Sequence, residues 1–416
     1  VKRLTAGVRL TAAAALAAAT VALAAMPAAA GSAPSGDPIR IGWANTDEGG
    51  YSFPGMTAGA EAAVAYVNAN GGINSRPIEL VSCVMAGDEA SSAACGQQLG
   101  NDMSLTAIAA GINLFSGPFF QATSGQGWTV VGAVPLTAAD FAAPGVVFWN
   151  SGVLGQIGAA AAYVTQLPDV ASVAVVYDDN PAAAGAAQQI VDAAEAAGLT
   201  VTSVPVPVGA ADFTVPITAA GAEGADVFML MVDQRGCIAA AGAISQLGLD
   251  STVVGTAPCA DDSVIESAGD QVDGWYFADG GSNARLGSGV DPEVDEYLEQ
   301  FATHGEGAPT QSFASYGWGT ILALADVLGG LGDALDQESV NAAVSAFTGP
   351  VPLGARTVSC PGPVIPAVCT GEGRIFQIVG DVVVDANNGE VIDPTAAPAV
   401  ASAPAGSATP GTTADQ

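Results

Sequence analysis

The chain has 416 residues and carries 9 Lys and Arg against 41 Asp and Glu, a formal net charge of −32 at pH 7. A field of that sign repels phosphate backbones and anionic lipid, which argues against nucleic acid and membrane surfaces as partners. The length exceeds what a single hydrophobic core usually serves and suits two domains.

Lys2, Arg3 and Arg9 precede an Ala/Leu/Val run that ends at Ala28-Ala29-Ala30, the pattern of an export signal over residues 1–30. Ala dominates the run, so it makes a poor membrane anchor. Three of the nine cations fall in this segment, which leaves six and no Lys in the mature chain. No Cys follows to accept a lipid, so the expected product is a soluble exported monomer, in the periplasm or at the cell surface. Its acidic face is read as a solubility device.

Two blocks of alternating strands and helices follow, over 39–149 and 172–277. Ile39, Ile41 and Trp43 mark one face of a strand that ends in the polar loop 45–52. Pro54-Gly55 then opens a helix, and Asn70-Gly71-Gly72 closes it. Strands over 78–84, 106–112 and 129–134 alternate with helices over 90–103 and 118–127. In the second block the strands are 172–177, 200–206, 226–232, 252–255 and 274–277. Helices 182–197, 213–222 and 236–247 separate them, with Gly198 as a stop. Short apolar strands between helices read as parallel and covered on both faces. The rhythm then breaks into three helices, 292–303, 313–328 and 338–347. A hairpin over 374–379 and 382–385 turns at Gly380-Asp381. From 394 to 416 the Ala/Pro/Ser/Thr tail lacks the periodicity of a core and reads as disordered.

Six cysteines in an exported chain form an even set, and their spacing pairs neighbours: Cys83 with Cys95, Cys237 with Cys259, and Cys360 with Cys369. Close CxxC or Cys/His spacings are lacking, so no metal is expected. Catalysis has little to work with. His304 is the sole histidine, and neither a strand-borne Gly-x-Ser-x-Gly elbow nor a phosphate or dinucleotide loop follows a strand. No enzyme activity and no cofactor are expected.

Several segments, in order, carry a resemblance. They are Ile39-Arg40-Ile41-Gly42; Val67-Asn68-Ala69-Asn70-Gly71-Gly72-Ile73-Asn74; Ala225-Asp226-Val227 with the helix end Gln246-Leu247-Gly248-Leu249; and Ala314-Ser315-Tyr316-Gly317. Over about 38–388 the chain resembles the type I periplasmic solute-binding proteins, specifically the branched-chain amino-acid (Leu/Ile/Val) type of ABC transporters. The resemblance implies an α/β fold of two Rossmann-like lobes. An N-terminal lobe takes 38–150 plus 281–349, and a C-terminal lobe takes 151–280 plus 350–390. Three crossovers near Asn150, Gly280 and Gly349 form the hinge. A small-molecule solute closes the lobes, and permease subunits recognise the closed form. A receptor-like sensor, or a binder of amides or aromatic acids, is the alternative on the same fold.

Family members hold a solute carboxylate on two first-lobe loops, matched here by 113–117 and 135–140. Asn113, Ser116 and Thr137 are therefore candidate contacts, with helix capping as the competing role for the two hydroxyls. Tyr51 and Phe53 are candidates to wall the pocket, or simply to fill space. Asp179, Asn180, Asp233 and Gln234 end second-lobe strands and would approach from across the cleft. The family's ammonium-binding acid is replaced by Ala257-Pro258-Cys259, so Asp233 or Asp261 would have to substitute. Arg235 would pair with an anionic solute or stand as a surface cation.

Overall fold

The computed structural model describes residues 33–311 and 313–394. The export signal read at 1–30 and the tail read beyond Pro394 lie outside the described residues. The first block runs β1 (Ile39–Thr46), α1 (Pro54–Ala69), β2 (Ile78–Met85), α2 (Glu89–Gly100), β3 (Ala107–Ala110), α3 (Ser116–Gly125), β4 (Val130–Gly132), α4 (Ala138–Ala142) and β5 (Val146–Phe148). Its five strands make one parallel sheet in the order β2-β1-β3-β4-β5.

The second block runs α5 (Gly152–Gln166), β6 (Ser172–Asp178), α6 (Pro181–Ala196), β7 (Thr200–Val206), α7 (Thr214–Ala219), β8 (Val227–Met231), α8 (Gln234–Leu247), β9 (Thr252–Thr256), α9 (Asp262–Ala268) and β10 (Tyr276–Asp279). Then come α10 (Pro292–His304), α11 (Ala314–Gly330) and α12 (Gln337–Ser345), followed by β11 (Thr348–Gly349), β12 (Val358–Ser359), β13 (Arg374–Val379) and β14 (Val382–Asp385). The second sheet has the order β14-β13-β10-β9-β8-β6-β7, parallel except for the β13–β14 hairpin, which adds antiparallel to β10. Gly380 takes a left-handed φ of 62° at the hairpin turn, as the Gly-Asp pair anticipates.

The helical stretch returns to the first sheet. A Cβ on Gly59 of α1 would lie 1.9 Å from the Ala314 carbonyl of α11, and one on Gly317 would lie 2.0 Å from that of Met56. Only hydrogen atoms let these two helices touch backbone to backbone. Gly317→Ala is therefore expected to push α11 outward at a cost of about 1–3 kcal/mol, the usual range for overpacking. A urea-unfolding midpoint equal to the wild type would refute that. Farther on, Asn341 of α12 accepts from Thr129 N and donates to Gly127 O, at 2.9 and 2.6 Å.

Three passages join the halves. At the first, Asn150 accepts from Gly152 N at 2.7 Å, and its amide group sits where a Cβ on Gly280, in the second, would collide. The third passage falls later than the Gly349 position that the resemblance implied. After β11 the chain stays beside the first sheet: Phe148 N donates to Ala367 O at 2.7 Å and Cys369 N to Phe148 O at 2.9 Å. It crosses at 370–373, where Glu372 O accepts from the Ser151 hydroxyl and Gly373 lies against α5. A short hairpin and the Cys360–Cys369 bridge hold it there. The cysteines pair as neighbours throughout, Cys83–Cys95, Cys237–Cys259 and Cys360–Cys369.

Candidate functional site

In open α/β sheets a ligand crevice forms beyond the carboxyl ends of the strands, where the strand order reverses. The first sheet reverses between β1 and β3, the second between β6 and β8. The residues leaving those strands make the site.

After β1, Asn45 is buried and ties the two diverging loops together. Its carbonyl oxygen accepts from Ile112 N at 2.9 Å, and its amide donates to Phe53 O at 2.9 Å and Asp47 Oδ1 at 2.6 Å. Thr57 of α1 donates to the same Asp47 carboxylate at 2.9 Å. Burial pushes the Asp47 carboxyl up, against the pull of those bonds. This bracing presents Tyr51, whose phenol donates to Asp178 Oδ2, at the end of β6, at 3.4 Å. Two chain segments on different sheets thus meet at their reversal points. Phe53 packs edge-on to Phe313, with ring centroids 5.6 Å apart.

The first-lobe loops are occupied internally. Asn113 donates to Ser92 Oγ and accepts from Phe115 N, both at 2.9 Å. Thr137 caps α4 in a capping box with Asp140, whose carboxylate accepts from Leu136 N and Thr137 N at 2.7 Å. Ser116 Oγ stands 3.2 Å from Thr137 Oγ1. Burial raises the Asp140 carboxyl despite these donors.

On the second lobe, the candidate polar residues mostly cap helices. Asn180 accepts from Ala183 N at 2.9 Å, Asp233 from Gly236 N at 2.7 Å and Asp261 from Ser263 N at 3.0 Å. Gln234 opens α8, and Asp179 is exposed. Arg235 is 72% exposed, 3.7 Å from Asp233 Oδ2; a pair so open to water contributes at most about 1 kcal/mol. Asp178, unlike these, is 3% exposed and accepts from Asp233 N at 3.1 Å.

Beyond the ends of β9 and β10 a cavity of about 40 Å³ is lined by Asp261, Asp279, Arg285, Thr310, Phe313 and Tyr316, among others. Arg285 pairs with Asp262, which also accepts from the Thr310 hydroxyl, so the segment between α10 and α11 is fastened to the start of α9. At its base Tyr316 of α11 donates to Asp279 and accepts from Gln156 Nε2 of α5 at 3.1 Å and from Gly280 N at 3.0 Å. Burial holds the Tyr316 phenol well above its ordinary range and raises Asp279. Sequence reading did not single out Asp178, Asp262, Asp279, Arg285 or Thr310. For Asp178 a signal exists: it shares strand parity with the core residues Ala174 and Val176, so it faces inward.

Two sheets whose strand-end loops meet through Tyr51 and Asp178 beside a small polar cavity, joined by three backbone passages, have the architecture of a two-lobed solute-binding protein. The chain belongs to the periplasmic binding protein family, whose sequence profile matches residues 38–365. The family supplies the exported solute-binding component of ABC transporters, which delivers small molecules to a permease. This is a binding protein, not an enzyme.

Solved structures agree in fold. A leucine-binding protein, LivK, of Thermotoga maritima gives a TM-score of 0.70 at 14% identity, covering 86% of this chain and 99% of that one. An R. palustris ABC-transporter solute-binding protein in complex with 4-hydroxybenzoate gives 0.69 at 18%, covering 84% and 95%. A fatty-acid ABC-transporter substrate-binding protein of Thermomonospora curvata gives 0.71 at 16%, covering 88% and 94%. No curated protein gives a significant sequence match. Among the described residues no helix is long and apolar enough to cross a membrane.

Proposed function

We propose that this protein, exported by its segment 1–30, captures a small carboxylate, of which a branched-chain amino acid is the narrow form, and delivers it to an ABC importer. It acts as a monomer. The lobe built on 38–150 and 281–369 closes on its partner, and the solute lies between strand-end loops of both. The observation that carries this reading is the Tyr51–Asp178 contact between the two reversal points, because a ligand drives closure only through groups on both sides.

The solute class rests on a common denominator: leucine, 4-hydroxybenzoate and fatty acids, named for the structural neighbours, all bear a carboxylate. Within the cavity Arg285 supplies a cation for that group. The family's ammonium-binding acid is replaced by the stretch Ala257-Pro258-Cys259, whose cysteine is bridged to Cys237, so Asp261 and Asp279 on the cavity wall are the acids placed to receive an amine.

Calorimetric titration with leucine, valine, 4-hydroxybenzoate and a medium-chain fatty acid tests this. Heat from at least one carboxylate is expected, at micromolar affinity, about −8 kcal/mol. Silence from both amino acids would remove the narrow form, and silence from every carboxylate would remove the class.

A further inference from the structure

Asp178, the last residue of β6 at the second reversal point, caps no helix and, unlike the exposed Asp179 after it, is buried at the meeting of two sheets. Among the described residues its Oδ2 receives the Asp233 N–H at 3.1 Å and the Tyr51 phenol at 3.4 Å, the latter long for an O–H donor. The charged groups around it are of the wrong sign. From β8 and α8 it faces Asp233, whose carboxylate is engaged with the α8 N-terminus and the exposed Arg235. From the β1 loop it faces Tyr51; Asp47 and Glu48 stand on the same loop, and Asp179 follows on its own. No cation bonds it.

We infer that lobe closure takes up a proton at Asp178, so that the closed form, and with it solute capture, is favoured in mildly acidic surroundings. The inference rests on the two-lobed closing mechanism but not on the identity of the solute. When the lobes part, Tyr51 withdraws and water reaches the carboxylate. When they meet, an ionised Asp178 is shut in beside Asp233, which costs free energy unless it is protonated.

Burial first, and the Asp233 charge after it, push this carboxyl up to about 6 in the closed arrangement, against about 3.9 for an ordinary aspartate. The sign follows. A group that holds its proton more tightly in the closed form favours closure as pH falls through about 6, and the gain is complete below the ordinary value.

Small-angle scattering of the solute-free full protein between neutral and mildly acidic pH tests this. The radius of gyration of the wild type is expected to fall as pH drops below about 6, the compaction being complete by about pH 4. Asp178→Asn, a permanent stand-in for the protonated acid, should be compact throughout and show no step. Asp233→Asn keeps an α8 cap but removes the like charge, and should move the step to lower pH. A pH-independent radius in the wild type, or the same step in Asp178→Asn, overturns the inference. The second result would assign the compaction to general relief of the acidic surface. Because no solute is present, failure here leaves the titration above to judge the solute class separately.

Discussion

Reduction of the three disulfides is expected to remove most of the stability of the protein. The bridges close loops of 12, 22 and 9 residues, and restricting the unfolded chain by loops of that size contributes about 3 kcal/mol each. Their sum, about 9 kcal/mol, matches the whole stability of an ordinary domain, roughly 5–15 kcal/mol. Thermal melts followed by circular dichroism with and without a phosphine reductant read this directly, and an unchanged midpoint would show the bridges to be ornamental. The Cys237–Cys259 bridge has a second consequence. It ties the first turn of α8, capped by Asp233, to the turn after β9 that leads to Asp261. The paired Cys237→Ser and Cys259→Ser variant is therefore expected to lose solute affinity as well as stability, whereas Cys83→Ser with Cys95→Ser should lose stability alone.

Arg374→Ala is expected to be the most destabilising single substitution among those considered, by about 3–5 kcal/mol, the range for breaking a buried ion pair. The Arg374 side chain is 6% exposed; it bonds Ser282 Oγ at 2.6 Å and Asp385 Oδ2 at 2.7 Å, with Asp291 Oδ2 at 3.7 Å. Removing it strands two carboxylates near the second passage between the lobes. Burial acts to raise the Asp385 carboxyl, but bonds from Gly389 N–H, Arg374 and Asn387 N–H outweigh it and leave it below the usual range. A depressed acid contributes stability above its ordinary value and loses it as pH falls through the lowered one. Urea unfolding at neutral pH and in acid should thus show the wild-type advantage narrowing in acid. A constant difference would mean that the arginine acts by packing alone, through its contact with the Phe376 ring at 5.1 Å.

Most elements were legible because their hydrogen bonds and hydrophobic periods are local. The glycine stop at Gly198, with φ of 81°, and the Asn70-Gly71-Gly72 helix end appear as read. Helix α5 was missed for a physical reason: Gly152–Gln166 is Ala- and Gly-rich and buries nine of its residues, so it lacks the polar face that makes a helix visible in sequence. The three-residue strand β5 is too short to carry a period.

The candidate site was half legible. Asn180 and Asp233 stand at strand ends as anticipated and Asp261 follows the turn after β9, yet each caps a helix, a local role that sequence can offer but not rank against ligand binding. Asp178, one residue before the pair that drew notice, holds the cross-cleft contact instead.

By itself, the sequence determined the alternation of strands and helices, the pairing of neighbouring cysteines and the family, all of which are written in spacings of a few residues to a few tens. Tertiary structure alone decided that Tyr51 meets Asp178 across 127 positions, that Arg285 fastens Asp262, and that the third passage waits until 370–373. Such contacts depend on how two separately folded sheets are set against each other, and no local period in the chain records that placement.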